Sequence, residues 1–312
     1  MRCLDPGGWH SGAVSTTTGA RIWAPLLTLW LVWGSTYFGI AIQGRWMPPL
    51  LASGVRLALA GVVLALLARL TGASLRITRT QLRGTATLGI GLMSVGIGTL
   101  ALAERYVPSG VAALIVSSVP LWIVVFRAVS GQRMSRVTIA GVVVGLVGLA
   151  LMVLPGGSHA VAGTELDVVL WSLAICASSF VWSLFSFRSR RYDLPANSLV
   201  SAAYELMIGG GVLVVLGLIL GDRVHTGDYP PSAYAAWGYL ILASVIGYGC
   251  YTYLLAKAPL SLVSTYAYVN PIVAVILALL ILQEPITRAV VIGLTIVVGG
   301  VVLVVSGERR AP

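Results

Sequence analysis

The chain has 312 residues, 58% of them hydrophobic and only 10% charged, with a mean hydropathy of +0.94. Soluble domains carry roughly 25% charged residues, so a chain this poor in charge cannot cover a water-facing surface of its own size, and a soluble fold is excluded. The net charge of +10 comes from short Arg clusters between apolar runs rather than a basic stripe interleaved with aromatics; it reads as topology-setting loop charge and not as a nucleic-acid surface.

Residues 1–21 read as a polar, disordered cytoplasmic leader. Crossing the hydrocarbon core takes about 20 helical residues, and ten runs of that size follow: 22–42, 50–68, 84–103, 109–126, 137–154, 168–187, 197–220, 234–255, 260–282 and 289–306. The first is longer than the roughly 7–15-residue core of a signal peptide and reads as the first span. The sixth is the most polar, with Ser172, Ser178, Ser179, Ser183 and Ser186. Backbone groups in lipid must be satisfied internally, which permits only helices or closed barrels, and runs of this length without strict alternation exclude the barrel. The expected fold class is an all-α integral membrane protein of ten transmembrane helices. Cys176 and Cys250 lie inside apolar runs and Cys3 in the leader, while His10, His159 and His225 fall outside the runs. No Cys/His spacing points to a metal, and no cofactor is expected.

With the N-terminus inside, 15 of the 20 Arg and Lys fall in cytoplasmic segments and 4 in outer loops, with Arg56 inside a span. The positive-inside bias places both termini in the cytoplasm. The two halves repeat. Pro108 and Pro120 bracket PSGVAALIVSSVP, and Pro259 and Pro271, 151 residues on, bracket PLSLVSTYAYVNP; Gly141 and Gly148 match Gly293 and Gly300 at 152. Five helices per half is an odd number, so the halves, 22–156 and 165–306, must lie in opposite orientations, followed by a cytoplasmic tail, 307–312. Inverted repeats build many secondary transporters, with the substrate site near the midplane at the repeat interface.

WGSTYFGI in the first span, MPPLLASGVRLALAG entering the second, AERYVPSGVAALIVSSVPL across the third and fourth, and STYAYVNPIVAVILALLILQEPIT across the ninth resemble the EamA-type transporters of the drug/metabolite transporter superfamily. Among these they look most like the bacterial inner-membrane YedA-like branch. The resemblance covers nearly everything from about residue 25 to 306. It implies ten helices in two inverted EamA repeats, both termini inside, and efflux of small metabolites or amino acids. It also implies that helices one, three, four, six, eight and nine surround the pathway while five and ten are peripheral. One departure is visible: such repeats commonly carry a Glu just after the fourth and ninth helices, and here Glu284 is present but its counterpart is Gln132.

Without a Walker A pattern, an intramembrane His or an acidic cluster, the expected activity is gradient-driven transport by alternating access across the bacterial plasma membrane. A passive channel or facilitator is the alternative. An intramembrane enzyme would need a nucleophile–base pair that the spans lack. Charge within a span is costly and must face protein or water. Arg56 and Glu205 lie well inside, at equivalent places with Gly61 and Gly210 aligned at an offset of 149. Two readings stand for each: a structural site bonded to backbone or to the other residue, or charge coupling to substrate or proton. Glu104, beside Arg105, is read as a solvated interfacial pair or as an outer-gate or proton site. Trp30, Trp33 and Tyr37 share one face of the first helix, read as packing or as cavity lining. With Ser117, Ser244, Tyr248 and Tyr251, and with Ser264, Tyr266, Tyr268 and Asn270, they form candidate walls for a small amphipathic solute. Pro120 and Pro271 are read as tolerated kinks or as symmetric hinges. The Gly141–Gly145 pair is read as close packing within the chain or as a dimer face, leaving monomer and homodimer both open. The expected partners are a small-molecule substrate and the lipid bilayer.

Overall fold

The computed structural model describes residues 20–132, 135–153, 160–223, 229–282 and 287–309. Among them every regular element is helical, in ten consecutive segments. These are α1 (Ala20–Trp46), α2 (Pro49–Leu70), α3 (Arg79–Ala103), α4 (Ser109–Val129), α5 (Arg136–Val153), α6 (Glu165–Arg188), α7 (Ser198–Ile219), α8 (Pro231–Lys257), α9 (260–282) and α10 (Arg288–Arg309). Seven of them, α1 to α4 and α6 to α8, are long and apolar enough to cross a membrane. The other three hold shorter apolar stretches, Arg136–Gly148, Val269–Ile281 and Arg288–Val304. Several helices run past the apolar runs that mark them, because their ends carry polar first and last turns that hydropathy does not register.

Local chemistry sets the starts. A capping box opens α3, where Gln81 N–H donates to Thr78 Oγ1 and Thr78 N–H to Gln81 Oε1, both at 3.1 Å. Thr164 and Asp167 do the same for α6. Asn197 Oδ1 accepts from Leu199 and Val200 N–H at the head of α7. Four more helices, α2, α4, α8 and α9, begin directly after a proline held in extended backbone, Pro48, Pro108, Pro230 and Pro259. Such a residue cannot extend a helix backwards through its own missing N–H. Gly72 and Gly221, 149 residues apart, close α2 and α7 with φ of 84° and 92°, backbone that favours glycine.

The packing repeats itself when each helix is exchanged for the one five places on. The α1–α8 contact recurs as α6–α3, α1–α9 as α6–α4, and α2–α8 as α7–α3, while α2–α7, α4–α9 and α5–α10 map onto themselves. The self-paired helices α2 and α7 run antiparallel, with Gly54 against Gly210 and Gly61 against Ala203 and Met207. In α5 and α10, likewise, Thr138 meets Gly307, Gly141 meets Gly300 and Gly148 meets Val297. Equivalent helices that cross antiparallel require a pseudo-twofold axis perpendicular to the helices, which is the relation of inverted repeats. The Gly141–Gly145 stripe is thus occupied by α10 of the same chain.

Polarity is distributed inside out. Leu31, Leu66, Leu70, Val129, Leu242 and Leu280 point outward, while Gln43, Ser53, Arg56, Ser183, Glu205 and Asn270 are buried. An apolar exterior around polar contacts suits a lipid solvent, in which side-chain hydrogen bonds and close backbone approach hold helices together.

Candidate functional site

A cavity lies where the two repeats meet. It comprises about 670 Å³ of space free of protein atoms, open solvent included. Helices α1, α2, α3 and α4 line it from the first repeat and α6, α8 and α9 from the second; among the described residues none of its lining comes from α5, α7 or α10.

Its centre is aromatic. Trp33, midway along α1 and 8% exposed, meets Trp182 of α6 edge-on, with ring centroids 5.7 Å apart and planes at 78°. The two are repeat equivalents, 149 residues apart. Each sits over a glycine of the facing helix: a Cβ on Gly247 of α8 would collide with the Trp33 ring, and one on Gly96 of α3 would lie 2.6 Å from Trp182 Cε3. Gly96 and Gly247 are themselves 151 residues apart, within the matching triplets Gly96–Ile97–Gly98 and Gly247–Tyr248–Gly249. Gly96 lies in a π-helical stretch, Gly89–Ile97, inside α3, a bulge of the sort often found at functional sites.

Three tyrosines crowd Trp33: Tyr248 at 5.1 Å, Tyr251 at 4.9 Å and Tyr266 at 5.0 Å between centroids. Tyr248 and Tyr266 face the cavity with Tyr37 and Asn270, and Tyr251 stands behind them. Asn270 is oriented by its surroundings, its amide donating to Tyr266 O at 2.9 Å and Trp30 O at 3.2 Å. Ile40, Arg56 and Leu100 carry the cavity toward the helix ends at Trp46, Pro49 and Ala103. Toward the opposite ends stand polar contacts between the ends of α6 and α8. Tyr251 Oη and Ser186 Oγ hydrogen-bond at 2.7 Å, and below them Arg190 donates to Ala258 O at 2.7 Å and to Leu255 O at 3.3 Å. Arg190→Gln is expected to release the end of α8 at a cost of about 1 kcal/mol, read as faster amide hydrogen exchange near Ala258; unchanged exchange there would show that the bond carries no weight.

The charged candidates part company. Arg56 is 2% exposed, lines the cavity and donates through Nη1 to Ser244 Oγ at 3.0 Å; Ser244 in turn donates to Leu240 O at 2.7 Å. Glu205 is buried on α7 away from the cavity and accepts from Ser201 Oγ at 2.8 Å. No ion pair joins the two among the described residues. Glu104 ends α3 and is only 5% exposed, which corrects its reading as a solvated interfacial residue: the helix end is covered by packed neighbours. Ser117 is buried, bonded to Leu114 O on its own helix and outside the cavity wall. The Tyr268 side chain and Glu284 lie outside the described residues.

The symmetric prolines sit in unlike helices. In α4 the helix breaks at Ser117–Ser118, just ahead of Pro120, and Val119 O accepts from Ser183 Oγ of α6 at 3.2 Å. In α9 the break falls at Ser264–Thr265, and Pro271 lies inside the following helix, Tyr266–Leu277. Trp182, Gly96, Gly247, Ser178 and Ser179 were not among the residues that sequence singled out as cavity lining. The 149-residue offset that pairs Gly61 with Gly210 also pairs Trp33 with Trp182 and was the available signal.

The model of the EamA-like transporter family matches residues 22–154 and 169–306. The chain is 34% identical over 292 residues to the uncharacterized inner membrane transporter YedA of Escherichia coli K12, covering 93% of this chain and 92% of that one. It is 30% identical over 213 residues to a probable terminal-alkyne amino-acid exporter of Streptantibioticus cattleyicolor, covering 66% and 68%. A solved crystal structure shares the fold at a TM-score of 0.68 and 21% identity, covering 92% of this chain and 98% of its own. Two matched repeats, helices that pair across a pseudo-twofold axis and a cavity between them make this chain a multi-pass membrane protein of the EamA-like transporter family.

Proposed function

We propose that the chain is a secondary active transporter that exports small metabolites or amino acids across the bacterial inner membrane by alternating access. It would use ten spans with both termini in the cytoplasm. The observation that carries the reading is the cavity itself, shared by both repeats at the pseudo-twofold axis, with the Tyr251–Ser186 bond beyond its aromatic wall. A site at the repeat interface is where a carrier must hold its solute to release it on either side. The charge bias supports the orientation, and the names of the two relatives support the membrane and the cargo.

In this reading Trp33, Tyr37, Tyr248, Tyr266 and Asn270 form the wall against which the solute rests, and Tyr251 closes the cytoplasmic floor. Tyr268 is a further candidate for that wall, whereas Ser117, bonded to Leu114 O outside it, is not. Pro120 and Pro271 are the hinge points, since each removes a backbone bond from a pathway helix. Glu205 and Glu104 are charge-coupling or structural groups. Purified protein in liposomes, loaded with a candidate solute, should show saturable uptake and counterflow, and Trp33→Ala should lower the rate at least tenfold, about 1.4 kcal/mol of barrier. Flux that rises linearly with concentration and shows no counterflow would mark a passive channel and overturn the proposal.

A further inference from the structure

Arg56 is the one charged side chain among the described residues that line the cavity. A guanidinium carries five N–H donors in a planar fork matched to carboxylate. Here one nitrogen, Nη1, is held by Ser244 Oγ at 3.0 Å, and Nε is buried with no hydrogen-bond partner. Glu104, buried at the end of α3, does not line the cavity. The remaining walls are aromatic and aliphatic, with the hydroxyls of Thr36, Ser178, Ser179 and Ser244 and the amide of Asn270. A cation at the edge of such a box is complementary to a ligand with one negative group and an apolar body. It lacks the density of positive charge that a phosphate or a dicarboxylate would need.

Resting on the carrier reading above, we infer that the cavity binds small amphipathic monocarboxylates. The carboxylate lies on the Arg56 guanidinium and the apolar body against Trp33, Tyr248 and Tyr266. Ser244 is a positioning residue: bonded to Leu240 O, it holds Arg56 through Nη1 at the cavity wall.

The test uses two triads that each share one body: L-phenylalanine, 3-phenylpropionate and 2-phenylethylamine, and L-leucine, 4-methylpentanoate and 3-methylbutylamine. Purified full-length protein in nanodiscs is titrated with each, and affinity is read from the shift in thermal unfolding. Within at least one triad the carboxylate-bearing members should bind at least tenfold more tightly than the amine, and comparison of the amino acid with the plain acid reads out any use of the ammonium group. Arg56→Gln should erase that preference, Arg56→Lys should keep its direction with weaker binding, and Ser244→Ala should weaken carboxylates alone. Should Arg56→Gln fail to fold, the two triads on the unaltered protein still decide. Equal or tighter binding of the amines, or no binding by any carboxylate, overturns the inference. Saturable counterflow of the amines alone would do so while leaving the carrier intact; carboxylate binding with no counterflow would overturn the carrier and leave the site.

Discussion

Gly210→Leu is expected to abolish accumulation of folded protein. A Cβ on Gly210 would lie 2.6 Å from Gly54 O and 2.7 Å from Ala58 N, and one on Gly54 would lie 2.7 Å from Gly210 O. The obstruction is backbone on both sides, so no side chain can swing away. In lipid, apolar surface gives helices no reason to associate; close backbone contact through small residues does. Overpacking a core commonly costs about 1–3 kcal/mol and more where nothing can yield. Here the α2–α7 crossing joins the two repeats at their axis, so the loss spreads to both. Gly211→Leu is the matched control, because nothing lies within 4 Å of a Cβ there. Yield and unfolding midpoint in detergent should fall sharply for the first variant and hold for the second. Equal behaviour of the two would mean that the crossing is not what holds the repeats together.

Gly247→Val should leave a folded protein that does not transport. The Trp33 ring rests directly on Gly247, and any side chain there displaces it toward Trp182, Tyr248 and Tyr266. The displaced indole enters the cavity, so the rate should drop more than tenfold while the unfolding midpoint changes little. Gly96→Val should act likewise through Trp182. Gly238→Val, on the same helix as Gly247 but with open space around it, should transport normally. Retained transport in Gly247→Val would remove Trp33 from the pathway.

The helices, their order and the repeat were legible because hydropathy runs and proline and glycine offsets are one-dimensional signals. Trp33, Tyr37, Tyr248, Tyr266 and Asn270 were legible as aromatic and amide positions on apolar helices, and the structure brings them together around one cavity. Trp182 was missed because it lies among serines in the most polar span, where its own helix shows no stripe; only its partner 149 residues away marks it. Arg56 and Glu205 look interchangeable in sequence, yet one reaches across to Ser244 on α8 and the other turns back to Ser201 on its own helix. An approximate twofold preserves backbones and lets side chains diverge, which no offset reveals. The breaks in α4 and α9 depend on which neighbour takes up the freed backbone groups, and that is a tertiary property.

The two tryptophan seats match, but what surrounds them does not. Tyr248, Tyr251 and Tyr266 gather on Trp33, whereas their equivalents in the first repeat are Ile97, Leu100 and Ile115, which have no hydroxyl to bond and no ring to stack. If the opposite-facing state arises by the repeats trading shapes, it must close over these aliphatic residues. It then forgoes the Tyr251–Ser186 bond and the ring contacts that now shut the other end. The structure is therefore lopsided: the rings around Trp33 and the Tyr251–Ser186 bond favour closure at this end of the bundle over closure at the opposite one.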